Sequence, residues 1–196
     1  MTEVLSTIEN VSKRVPWNKG KVVGAKPPLR PKHVWSIRTK LQVEGRVPDL
    51  ALFNLAIDSK LRGCAVVALK ADDVAPGGYA ADRATVRQKK TGRPVKFELT
   101  ETTRQAIDDY MKAAAKNSGD YLFVGQRGPG SSLTTRQYAR LLSDPHLFGT
   151  HSLRRTKATL IYRRTDNSRA VQLLLGTQKL RAPYDIWASR WTKLSQ

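Results

Sequence analysis

Residues 84–99 restrict the possible folds of this chain more than any other stretch. Ala84 to Lys89 leads into Thr91-Gly92, where glycine accepts a positive φ, and Val95, Phe97 and Leu99 then alternate with Lys96 and Glu98. A period of two puts one face of this hairpin on a core and the other in water. The periods on either side are helical. Val34, Ile37, Leu41 and Val43 predict a helix from Pro31 that Gly45 ends, and Leu50, Phe53, Leu55 and Ile57 predict a second from about Asp49. Thr100, followed by Glu101, is placed to cap a helix reaching Lys116. Asp120–Val124 reads as a short strand before a glycine-rich loop to Ser132, and helices follow from Leu133-Thr134, over 151–164 and over 168–175. One hairpin among helices, with no internal repeat, predicts an α+β domain that is mostly helical.

Charge narrows the function. The 196 residues hold 35 Lys and Arg against 16 Asp and Glu, a formal net charge of +19. Such an excess attracts nucleic acid through counterion release, and the binding should weaken steeply with salt. A membrane-surface role would need an amphipathic basic helix or a lipidation signal, and neither is present. No apolar run approaches a membrane span, and the first residues lack the apolar core of a signal peptide. The expectation is a cytoplasmic protein, associated with the nucleoid when bound to DNA. The single cysteine, Cys64, excludes an internal disulfide framework, and His33, His146 and His151 are scattered, so no metal or cofactor is expected.

The cations cluster at the ends. Residues 1–48 hold ten Lys or Arg against three acids and residues 151–196 hold ten against two, while the middle has fifteen against eleven. Val15–Lys21 and Lys26–Lys32 combine prolines with cations and disfavour regular structure. Residues 1–31 therefore read as a flexible basic arm lying along a DNA backbone.

Within 148–162 the chain reads Phe148-Gly-Thr-His151-Ser-Leu-Arg154-Arg-Thr-Lys157. A histidine and an arginine three apart on a helix face one side and can share a phosphate oxygen. Upstream lie Leu61-Arg62-Gly63 and Lys89-Lys90-Thr91-Gly92. In this order the residues resemble the catalytic domain of the tyrosine recombinases, the phage integrase family, from about Pro16 to Gly176. Cutting a DNA strand without water, metal or ATP requires a side-chain nucleophile that forms a covalent phosphoester. It also requires fixed positive charge around the non-bridging oxygens and a proton donor for the departing 5′ oxygen. The resemblance implies that Arg62 and Arg154 are the two arginines, His151 their partner on the phosphate, and Lys90 the general acid. It implies double-stranded DNA as partner, with other protomers assembled on it, and no small-molecule substrate. Each residue also has an ordinary reading: Arg62 as a helix C-cap, Lys90 as a solvated turn residue, His151 as a helix-start residue. Arg155, Lys157, Arg163 and Arg164 read equally as phosphate contacts or as the wet face of a helix.

Four departures from the family pattern bear on activity. Ala65 stands where an acid usually orients the arginines, and Ser143–His146 is shorter than the usual helix and loop. Leu173-Leu-Leu-Gly176 is followed by Thr177 in place of histidine, and Ile186 occupies the nucleophile position nine residues on. Tyr184, the only tyrosine after Gly176, lies two residues early and follows Pro183, so it serves as nucleophile only if the displaced tyrosine substitutes. With synonymous codons chosen to suit, reading from Gly176 two nucleotides later restores the histidine and a tyrosine nine residues beyond it. Residues 177–196 are accordingly expected to be an out-of-frame tail behind a catalytic domain at 32–176, with impaired cleavage. Two other classes stay open: a non-catalytic DNA-binding module, and a basic RNA-binding protein, although no aromatic-studded RNA-reading strand is evident. Type I topoisomerases of the tyrosine class share the chemistry, but the local wording is closer to integrases.

Overall fold

The computed structural model describes residues 26–88, 92–128, 130–142 and 148–175. In chain order the elements are α1 (Pro31–Val43), α2 (Val47–Ser59), α3 (Gly63–Val66), α4 (Ala71–Val74), β1 (Arg83–Arg87), β2 (Pro94–Glu98), α5 (Glu101–Ala113), α6 (Thr135–Leu142), α7 (Thr150–Thr165) and α8 (Ser168–Leu175). The α+β, mostly helical expectation is met, with one antiparallel hairpin among the described residues.

The second helix is the axis of the domain. Every residue from Ala51 to Ser59 is buried, because α1, α5 and α7 all pack against it. A helix enclosed on all sides has no polar face to keep. Its first turn carries Pro48, whose missing N–H costs nothing there.

The hairpin pairs Arg83 with Glu98 and Val86 with Val95. Val95 and Phe97 point inward and their neighbours outward, as the alternation predicts. Helix α5 buries Thr103, Ala106, Ile107, Tyr110 and Met111 on one face, and Tyr110 stacks on Phe123 with ring centroids 5.5 Å apart.

Several expectations need correction. Val43 is 83% exposed, because the buried stripe of α1 runs through Val34 and Leu41. Helix α5 stops at Ala113, and beyond it Ala115 turns left-handed at φ 45° while Lys116 Nζ donates to the Tyr121 carbonyl at 2.9 Å. Thr100 precedes α5, but its hydroxyl donates to Asp58 and makes no bond to the helix backbone. Residues 120–124 form no strand: Tyr121 bridges to Lys70 and Val124 to Ser132, two different partners that cannot build a ladder. Order also extends upstream of Pro31. Leu29 is buried in the core and its N–H donates to Thr156 Oγ1 at 3.0 Å, so residues 26–30 form a strap across α7. Residues 1–25 of the expected arm, the tail 177–196 and the short segment 143–146 lie outside the described residues.

Candidate active site

The first arginine is set by a turn. Helix α2 ends at Lys60, whose φ of 55° and ψ of 18° are left-handed, and the buried Leu61 then fixes the turn in the core. Arg62 is extended at the start of α3, where its carbonyl accepts the N–H groups of Ala65 (2.8 Å) and Val66 (3.0 Å). Gly63 is required here by packing: a Cβ would lie 2.9 Å from Cε1 of the buried Tyr138 ring. Arg62 Nη1 donates to Oε1 of Gln88, a buried side chain at the end of β1. The backbone carbonyl of Gln88 accepts the Gly92 N–H at 2.8 Å and its N–H donates to the Arg93 carbonyl at 2.9 Å, which ties the two arms of the hairpin. Lys90 lies outside the described residues; its flanking residues Gln88 and Gly92 are thus joined to each other and, through Gln88, to Arg62. Ala65 is buried and offers Arg62 no carboxylate; the carboxamide of Gln88 is the partner instead.

The second cluster comes from α7. Arg154 Nε donates to the Lys60 carbonyl at 2.8 Å, so the second arginine is tied to the backbone two residues before the first. One turn further, Lys157 Nζ reaches Asp58 Oδ1 at 2.7 Å. Arg155 turns the other way: its Nη2 donates to the Lys26 carbonyl at 2.7 Å and its Nε to the His151 carbonyl at 3.1 Å. Of the four cations read as phosphate contacts or wet surface, Arg155 and Lys157 are therefore tethers, while Arg163 and Arg164 are exposed.

Electrostatics link the two clusters. His151 is exposed on α7, and its imidazole is held below its ordinary value by partial burial and by the guanidinium groups of Arg155, Arg154 and Arg62. All three cations therefore act on one ring. Burial and the neighbouring Lys157 ammonium push the Lys60 amine down to about 8. Burial alone would raise the Asp58 carboxyl, but hydrogen bonds from Lys157, Thr100 and Thr103 outweigh it and leave it below the usual range.

Arg154 is thus tied to the turn that carries Arg62, and His151 stands one turn before Arg154 on α7, whereas Lys90 and Tyr184 fall outside the described residues. Sequence reasoning missed Asp58, Lys60 and Gln88. Only Asp58 left a trace, as a carboxylate directly after the apolar stretch Leu55-Ala-Ile57. Among the described residues no group of three or more His, Cys, Asp and Glu could hold a metal, and no helix is long and apolar enough to cross a membrane.

The family model described as the phage integrase family matches residues 29–182. The chain belongs to the phage integrase family. The match begins later than Pro16 and continues past Gly176. No curated protein sequence matches significantly. Among solved structures the chain is similar to XerA recombinase, at 18% identity and a TM-score of 0.65 over 85% of this chain and 66% of that one. It is also similar to XerH site-specific recombinase bound to its difH substrate in a pre-cleavage complex (19% identity, TM-score 0.62, 87% and 52% covered). A third likeness is to lambda integrase residues 75–356 bound to DNA (16% identity, TM-score 0.61, 86% and 62% covered). These likenesses establish the tyrosine-recombinase catalytic-domain fold. The chain spans less than two-thirds of the length of each of these structures.

Proposed function

We propose that the chain is a duplex-DNA-binding, tyrosine-recombinase-type catalytic domain, acting in the cytoplasm on nucleoid or mobile-element DNA, whose cleavage step is impaired. The observation that supports this reading is the tether of Arg154 to the Lys60 carbonyl, two residues before Arg62, with His151 one turn earlier on the same helix, in a chain of net charge +19. Arg62 and Arg154 hold the two non-bridging oxygens of one phosphodiester. The depressed His151 is a neutral hydrogen-bonding partner for the same group at neutral pH.

In the intact reaction a tyrosine oxygen attacks phosphorus and the 5′ oxygen leaves with a proton from Lys90. The resulting 3′-phosphotyrosine is resolved by the 5′-hydroxyl of another strand. The protomers that supply such strands assemble together on DNA. Ile186 at the nucleophile position argues for binding without efficient cleavage, and the coding nucleotides around Gly176 test the out-of-frame reading of 177–196. This favours the non-catalytic module as the second reading.

Fluorescence anisotropy with a labelled duplex tests the assignment. Affinity should fall by about 10³–10⁵ between 50 and 200 mM salt if roughly 6–10 phosphates are contacted. Arg62→Ala with Arg154→Ala should weaken binding further, and nicked duplex should give no covalent adduct. An adduct that disappears in Tyr184→Phe overturns impaired cleavage, and tighter binding to single-stranded RNA than to duplex overturns the DNA assignment.

A further inference from the structure

Helix α7 carries His151, Arg154 and Lys157 three residues apart in succession, along one inclined row. The row is gripped at two points by the end of α2. Arg154 Nε holds the Lys60 carbonyl at 2.8 Å and Lys157 Nζ holds Asp58 Oδ1 at 2.7 Å. Asp58 is itself immobilised. Its Oδ2 accepts the Thr100 N–H (2.9 Å), the Thr100 hydroxyl (2.7 Å) and the Thr103 hydroxyl (2.7 Å), and the side chain is 3% exposed. A carboxylate with four donors from α7, α5 and the residue before α5 has one orientation available.

Apolar packing does not supply the same restraint. The buried residues of α7 are Ser152, Leu153, Thr156 and Ala158, so one leucine and one alanine make up its fully buried hydrophobic surface. Such contact is non-directional; the directional restraints on α7 are its bonds to the strap, through Thr156 and Arg155, and those to the end of α2, through Arg154 and Lys157. The Asp58–Lys157 pair, with its carboxylate 3% exposed and held by four donors, is the directional restraint next to Arg154.

We propose that Asp58, through Lys157, is the positioning residue that sets the rotation of α7 and so aligns Arg154 and His151 with Arg62. It supplies from α2 the orienting carboxylate that Ala65 cannot supply from α3. The idea rests on the proposed phosphate site, but its primary readouts do not need DNA.

The full chain and its Asp58→Asn, Lys157→Met and Lys157→Arg variants are compared by nuclear magnetic resonance, following the Arg154 Nε–H signal and the His151 titration. Asp58→Asn should keep a cooperative urea transition, yet lose the slow exchange of Arg154 Nε–H and return His151 toward 6.5. Duplex affinity should fall about tenfold, the equivalent of ~1.4 kcal/mol lost at the misaligned arginine fork. Lys157→Arg, which retains the pair, should rescue all three readouts, and Lys157→Met carries the comparison should Asp58→Asn not fold. A folded Asp58→Asn or Lys157→Met protein with the Arg154 signal and His151 titration of the parent overturns the proposal. A parent chain that binds no duplex sinks the functional reading alone, because the two resonance readouts still decide the clamp.

Discussion

At the scale of single residues, two positions beside the site bear on stability in opposite ways. Gly63 is held to glycine by the ring of Tyr138, a buried side chain that cannot retreat. Gly63→Ala should cost about 1–3 kcal/mol through overpacking, read as a lower urea midpoint. Lys60 buries its amine at about 8 against 10.5 for a free lysine. The unfolded chain then binds more protons between those values, so stability rises with pH from 8 to 10.5. Below that window the buried charge opposes folding by roughly 3 kcal/mol. Lys60→Met should therefore stabilise the protein at pH 7 by about 1–3 kcal/mol, with the gain fading as pH approaches 10.5, in urea titrations at both ends. The residues that touch phosphate in the proposed reading were legible because Arg62, His151 and Arg154 sit in short local patterns. Their supports were not: Gln88 meets Arg62 across 26 positions and Asp58 meets Lys157 across 99, and no local period encodes such pairs.

At the scale of elements, legibility followed length and periodicity. The hairpin and the longer helices were readable because one face repeats often enough to stand out. The single-turn helices α3 and α4 are four residues each, too short for any period. Residues 120–124 carry strand-like composition, yet they are buried as a crossing segment whose apolar side chains, Leu122 and Phe123, fill the core. The strap at 26–30 escaped notice because prolines and cations marked it as loop, while its single leucine does the anchoring. Leu29→Ala should cost about 2–4 kcal/mol by urea unfolding, the usual penalty for an emptied leucine site. It should also raise amide exchange around Thr156, whose hydroxyl receives the Leu29 N–H.

At the scale of the whole molecule, the fold is a charged shell around one large apolar core running from Leu29 to Leu153. Its net charge of +19 is an excess of the kind that attracts polyanions. Helix α8 packs on α7, and its Val171 lies outside that core. Val171 packs with Ala158 and Tyr162 in a small separate cluster, while Leu173 is 66% exposed. An element whose buried valine belongs to a second cluster can open locally without unfolding the main core. Hydrogen-exchange mass spectrometry should find the α8 amides exchanging well before those of α2, with slower global unfolding reporting only the latter. Detachment of α8 on that timescale should leave α2 and the domain interior intact.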